Sequence, residues 1–156
     1  MSYIPYYYGS FWNTGQISVS ANTPTPLTYN SQGTCVGVSV VSNSRITVAY
    51  KGLYNIAFSA QLDNTSGGPQ TVGFWVSKGG NEIADTGGLF TLNNNEKKVA
   101  AWNYFVDANV NDYFELMFAS PSANVILFDR AAQVSPPEPW TMPAMPSIIV
   151  TINKVN

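Results

Sequence analysis

The chain has 156 residues, enough for one domain with a substantial core, and carries seven Lys and Arg against nine Asp and Glu, one cysteine and no histidine. Charged residues make up 10% of it, against roughly 25% in ordinary soluble proteins. These figures exclude Ser-His-Asp and Cys-His catalysis, histidine metal sites, an intrachain disulfide and Cys-x-x-Cys zinc patterns, and they leave no basic stripe for a nucleic acid.

The N-terminal stretch MSYIPYYYGSFW gathers Tyr3, Tyr6, Tyr7, Tyr8, Phe11 and Trp12 around Pro5. It starts too irregularly for a strand, so residues 1–8 read as an aromatic arm ahead of a single domain over residues 9–156. Such an arm either packs on its own domain and neighbouring copies or docks on a partner. It has no basic n-region or long apolar h-region, and no stretch approaches the length of a transmembrane helix. The expectation is a protein made in a cytoplasm, with no membrane partner.

From there period-two alternation recurs to the C-terminus, and helical spacing is almost absent, so the fold class is all-β. The predicted strands, in order, are Gly9 to Ser20, Cys35 to Val41, Arg45 to Tyr50, Gly52 to Leu62 and Gln70 to Lys78. Lys97 to Asp107, Asp112 to Ser120, Asn124 to Asp129 and Ser147 to Val155 follow. Asn, Asp and Gly clusters separate them, at DNTSGGP, KGGNE, LNNNE and DANVND, where positive φ is available. Cys35 reads as a small core residue. The segment VSPPEPWTMPAMP, with five prolines between Pro136 and Pro146, reads as an extended, polyproline-like crossing pinned by Trp140. Nine or ten short strands in one domain favour a sandwich or jelly roll.

The strand KGLYNIAFSAQLDN poses a sharper question. One parity, Tyr54, Ile56, Phe58, Ala60 and Leu62, suits a core. The other, Leu53, Asn55, Ala57, Ser59 and Gln61, is small and nearly uncharged, which suits a partner surface better than water.

Catalytic carboxylates are the remaining chemical possibility. Asp112 with Glu115, or Asp63 with Asp107, would need to stand about 5 to 10 Å apart to cleave a glycoside. The first pair differs in strand parity, and the others lie in turn clusters where Asp serves backbone geometry. LDNTSGG and DANVND offer oxygens of the kind calcium accepts, without an EF-hand spacing, and turn chemistry is the better reading. GGNE and TGGL lack the Lys and context of a phosphate loop, and Asn64 begins an N-x-[ST] sequon of little meaning without a secretion signal. No catalytic residue, metal or cofactor is expected.

The stretch GLYNIAFSAQL resembles the Gly-x-Tyr-x-φ-x-φ strand of the C1q/TNF-like jelly roll, φ being an apolar residue. NVNDYFELMF resembles its x-G-D-x-V-x-L-x-L strand, with Asn111 at the usual Gly and Asp112 at the Asp, and SIIVTINKV takes the place of the last strand. A narrower resemblance is to small C1q-like virion proteins of tailed bacteriophages, carried by YGSFWNTGQ with ANTPTPLTYN, YNIAFSAQLD, VAAWNYFV, DYFELMF and PSIIVTIN in that order.

The resemblance implies a C1q/TNF-like jelly-roll sandwich of about ten antiparallel strands, assembled as a homotrimer. Leu53, Asn55, Ala57, Ser59 and Gln61 would meet neighbouring copies near a threefold axis, as would Tyr113, Glu115, Met117 and Ala119 on the strand taken to face them. It implies a non-enzymatic virion protein, a decoration or cement protein bound to a major capsid or other virion protein through Tyr3, Tyr6, Tyr7 and Tyr8. The alternative is a tail-fibre or head-fibre tip binding a host surface glycan through Trp75 and Trp102, with a depolymerase as the third reading.

Overall fold

The computed structural model describes residues 6–134 and 139–155. In chain order its strands are β1 (Tyr8–Asn13), β2 (Ile17–Ser18), β3 (Thr25–Pro26), β4 (Ser31–Gln32), β5 (Val38–Val41), β6 (Arg45–Val48) and β7 (Gly52–Asn64). They continue with β8 (Gln70–Lys78), β9 (Asn81–Glu82), β10 (Gly88–Leu92), β11 (Lys97–Ala108), β12 (Tyr113–Ala119), β13 (Val125–Leu127) and β14 (Ile148–Lys154). No helix occurs among the described residues.

Two antiparallel sheets pack face to face. In the first, β11 pairs one side of β7, β14 and β13 share its other side, and β1, β2 and β4 complete the sheet. The second runs β10, β8, β12, β6, β5, with β3 on β12 and β9 on β8. The even positions of β7 bury as the alternation requires, and Tyr54, Ala60 and Leu62 are wholly enclosed. Phe58 of the first sheet stacks on Phe74 of the second at 5.3 Å between centroids, and Phe74 meets Phe118 at 4.9 Å, so aromatic contacts span the sandwich.

The turn clusters take up the strained conformations their residues allow. Gly67, Gly79, Gly80, Asn95 and Asn111 all have positive φ. Asn111, at 65°, occupies a position where Gly or Asn avoids the steric cost, which accounts for Asn in that strand motif.

Several expectations need correction. Gly9 to Ser20 is two strands, because the Asn13 side chain turns the chain by accepting from Gly15 N–H and donating to Thr28. The strand expected from Cys35 begins at Val38, and Cys35 is half-buried at the margin, its thiol 3.4 Å from Gly33 O. The proline-rich segment does not cross in an extended line. It folds back, with Arg130 opposite Met145 and Gln133 opposite Met142, because those four residues are not proline and supply the N–H groups of a narrow ladder. Trp140 is 56% exposed. Pro136, Pro137 and Glu138 lie outside the described residues.

Candidate functional site

The outer face of the first sheet forms from four long strands whose register brings their outward residues into rows. Asn55 lies between Phe105 of β11 and Asn153 of β14, with Tyr8 of β1 beyond. Ala57 lies between Asn103 and Thr151, with Ser10 beyond, and Ser59 between Ala101 and Ile149, with Trp12 beyond. Four strands span about 14 Å across, and Leu53 to Gln61 about 27 Å along.

Within that field no residue is charged. Charges stand only at its ends, at Asp107 opposite Leu53 and at the Lys97–Asp63 ion pair, 2.7 Å. Asn103 Nδ2 donates to Asn55 Oδ1 at 2.9 Å, so two amides on the face bond to each other. Phe105 is 63% exposed, and Val99 and Tyr8 are also exposed. A broad, neutral face with self-paired amides and open apolar side chains loses little by leaving water.

The structure divides the remaining residues expected near that face. Tyr113, Glu115 and Met117 lie on β12, in the second sheet, where they stand opposite Thr47, Ser77 and Trp75 and point away from the β7 face. Parity identifies which residues share a face of one strand but not which sheet holds the strand. The strand beside β7 is β11. Glu115 is moreover only 8% exposed, accepts from Ser44 Oγ at 2.7 Å and stands 3.9 Å from Arg45. Arg45 also covers the Tyr113 ring at 4.6 Å.

The aromatic arm is partly domain. Tyr8 belongs to β1, and the Tyr7 carbonyl accepts from Lys154 N–H at 2.8 Å while its ring stacks on Tyr50 at 4.0 Å. Gly37, at φ +66°, lies beneath that stack, where a Cβ would come within 2.6 Å of the Tyr7 ring. Tyr6 is 76% exposed, and Tyr3 lies outside the described residues. Trp102, expected on the surface, points inward, edge-on to Phe58 at 4.6 Å and hydrogen-bonded to Tyr104. Trp75 is outward on β8.

The carboxylates singled out in the sequence are held by structural partners or stand far apart. Asp112 pairs with Lys78 Nζ at 2.8 Å and accepts from Asn109 N–H, and these contacts, the Lys78 hydrogen bond foremost, hold its carboxyl below the usual range. Asp63 and Asp107 occupy opposite ends of the β7–β11 ladder, roughly 30 Å apart, too far to act on one bond. Asn64 is wholly buried, and its Nδ2 donates to the carbonyls of Gly68, Leu92 and Asn93. This role was hidden in the sequence behind the sequon and the turn cluster. No group of three or more His, Cys, Asp or Glu that could hold a metal occurs among the described residues.

No family model matches the sequence, and no curated protein matches it. Solved structures do. The Eiger TNF of S. frugiperda superposes with a TM-score of 0.60 at 11% identity, covering 98% of this chain and 94% of that one. Murine APRIL, crystallised at pH 5.0, gives a TM-score of 0.61 at 13% identity, covering 97% of this chain and 100% of that one. The fold is a TNF-like jelly roll. At these identities the likeness speaks for the fold alone, and the TNF-like sandwich accommodates both sheets as described.

Proposed function

We propose that this TNF-like protein is a non-enzymatic structural subunit, a homotrimer joined through the outer face of the β7 sheet, that coats a phage head as a decoration or cement protein. The observation that carries the reading is the neutral field between Asp107 and the Lys97–Asp63 pair, with Phe105 open to solvent on its edge strand β11. On that face of β11 an uncharged row runs from the exposed Phe105 through Asn103 and Ala101 to the exposed Val99. Three copies related by a cyclic axis would cover it. The virion assignment rests on the ordered sequence motifs, and the commitment of Asp112 to Lys78 and of Glu115 to Ser44 supports a role without catalysis for that pair.

Attachment to a capsid or other virion protein would use the surfaces around Tyr6 rather than Tyr7 and Tyr8, which the domain itself holds. Mixing the protein with undecorated heads and locating its density by image reconstruction tests this. Threefold density on the shell is the expected result, and density confined to a fibre, or none, contradicts it. One observation favours the second reading, a fibre tip that binds host glycan: the groove beside Trp75.

A further inference from the structure

The second sheet carries a groove of about 700 Å³ on its outer face, on the far side of the sandwich from the β7 field. Trp75 and Gly73 form part of its lining, where a Cβ on Gly73 would touch Leu89 at 3.5 Å and the Trp75 ring at 3.7 Å. Leu89 stands 76% exposed at its side. The loop carrying Glu82 and Asp85 completes the lining, and Thr86 fixes that loop by donating to Ile83 O at 2.8 Å and accepting from Val76 N–H at 3.1 Å. A second hollow continues past Trp75 toward Pro121.

Three features define what fits. Neither hollow is lined by Lys or Arg, and Glu82 and Asp85 enter no ion pair or side-chain hydrogen bond among the described residues, so an anionic ligand is disfavoured. Carboxylates accept hydrogen bonds and donate none, so the ligand must bring donors. An indole ring beside the exposed Leu89 offers an apolar surface, which suits a ring with C–H groups on one face and hydroxyls around its edge. Trp75 Nε1 is buried without a partner, a cost that a Phe in its place would avoid. The residue is thus better explained by its broad ring than by its contribution to stability.

We propose that this groove binds neutral pyranose units of a glycan, stacked on Trp75 and hydrogen-bonded through their hydroxyls to Glu82 and Asp85. The site lies on the opposite sheet from the assembly face and stands whether or not the chain forms trimers.

The test is titration of the intact protein with cellotriose, maltotriose and lactose, following the Trp75 indole resonance by NMR, with sialyllactose as the anionic counterpart and molecular mass measured in the same samples. Saturable binding of at least one neutral sugar is expected, with sialyllactose weaker than lactose. Trp75→Phe should stay folded and bind several-fold more weakly. The double variant Glu82→Gln, Asp85→Asn, which leaves the ring in place, should lose about tenfold. No saturable shift with any of the three, equal affinity in both variants, or tighter binding of sialyllactose would overturn the proposal. A change in mass alone would bear on the assembly and not on this site.

Discussion

Asn103 on β11 donates its side-chain amide to Asn55 on β7 at 2.9 Å, and Asn55 in turn stands directly opposite Phe105. The face therefore combines an apolar side chain turned to solvent with two amides bonded to one another. Replacing Phe105 removes contact area from an assembly without opening a cavity in the monomer. Phe105→Ser should weaken self-association at least tenfold while changing the unfolding free energy of the isolated chain by less than about 0.5 kcal/mol. Sedimentation equilibrium paired with denaturant unfolding reads both.

Asn64 is the opposite case, a polar residue that holds the interior together. Asn64→Ala removes the side-chain donor to the Leu92 and Asn93 carbonyls, leaves Gly68 O to Ser66 Oγ alone, and should cost about 1–3 kcal/mol. Asn64→Asp, which sets an acceptor against three acceptors, should cost more. Urea denaturation distinguishes the two, and equal stability of Asn64→Asp and wild type would contradict the assignment.

Gly88 leaves room for Trp102, since a Cβ there would lie 2.5 Å from the indole ring. Gly88→Val should displace Trp102, alter the near-ultraviolet circular dichroism and destabilise the fold by about 1–3 kcal/mol. An unchanged spectrum would mean that Trp102 is not held where the sandwich places it.

Tyr29 is buried with its hydroxyl unpartnered, and burial, with a smaller push from Glu115, raises its pKa well above the ordinary 10. Below pH 10 the phenol is protonated folded or unfolded and contributes no pH dependence. As pH rises past 10 the unfolded chain releases the proton and the folded one retains it, so stability falls. Tyr54 and Tyr104, also raised chiefly by burial, act in the same direction. Tyr29→Phe should leave neutral-pH stability equal or higher and make the alkaline decline shallower, as thermal melts from pH 8 to 11 would show.

The long strands were legible because β7, β8 and β11 are long enough for alternation to repeat, and Tyr54 to Leu62 could face only a core. The parity of Leu53 to Gln61 likewise identified an outward face. The strand alongside it was misread, because Tyr113, Glu115 and Met117 alternate as regularly as Ala101, Asn103 and Phe105 do, and alternation carries no information about which sheet receives a strand. Two-residue strands such as β3 and β4 have no period to detect. GLFTL, which forms β10, is too short for its alternation to stand out, and its Gly88 falls within TGGL, weighed only as a phosphate loop. Tyr7 looked like a free anchor since its partner, Tyr50, is remote in sequence and joins it only through the fold.

The account rests most heavily on the neutral face being covered by other copies of the chain, and Ala57 stands in the middle of that face between Asn103 and Thr151. An arginine there would bring unpaired charge together near the axis while remaining solvated in a single copy. Light scattering at micromolar concentration, on wild type and Ala57→Arg side by side, is the decisive measurement. The account predicts three times the chain mass for the wild type and a folded species of one chain mass for the variant. A monomeric wild type, or a variant unchanged in mass and melting, would contradict it.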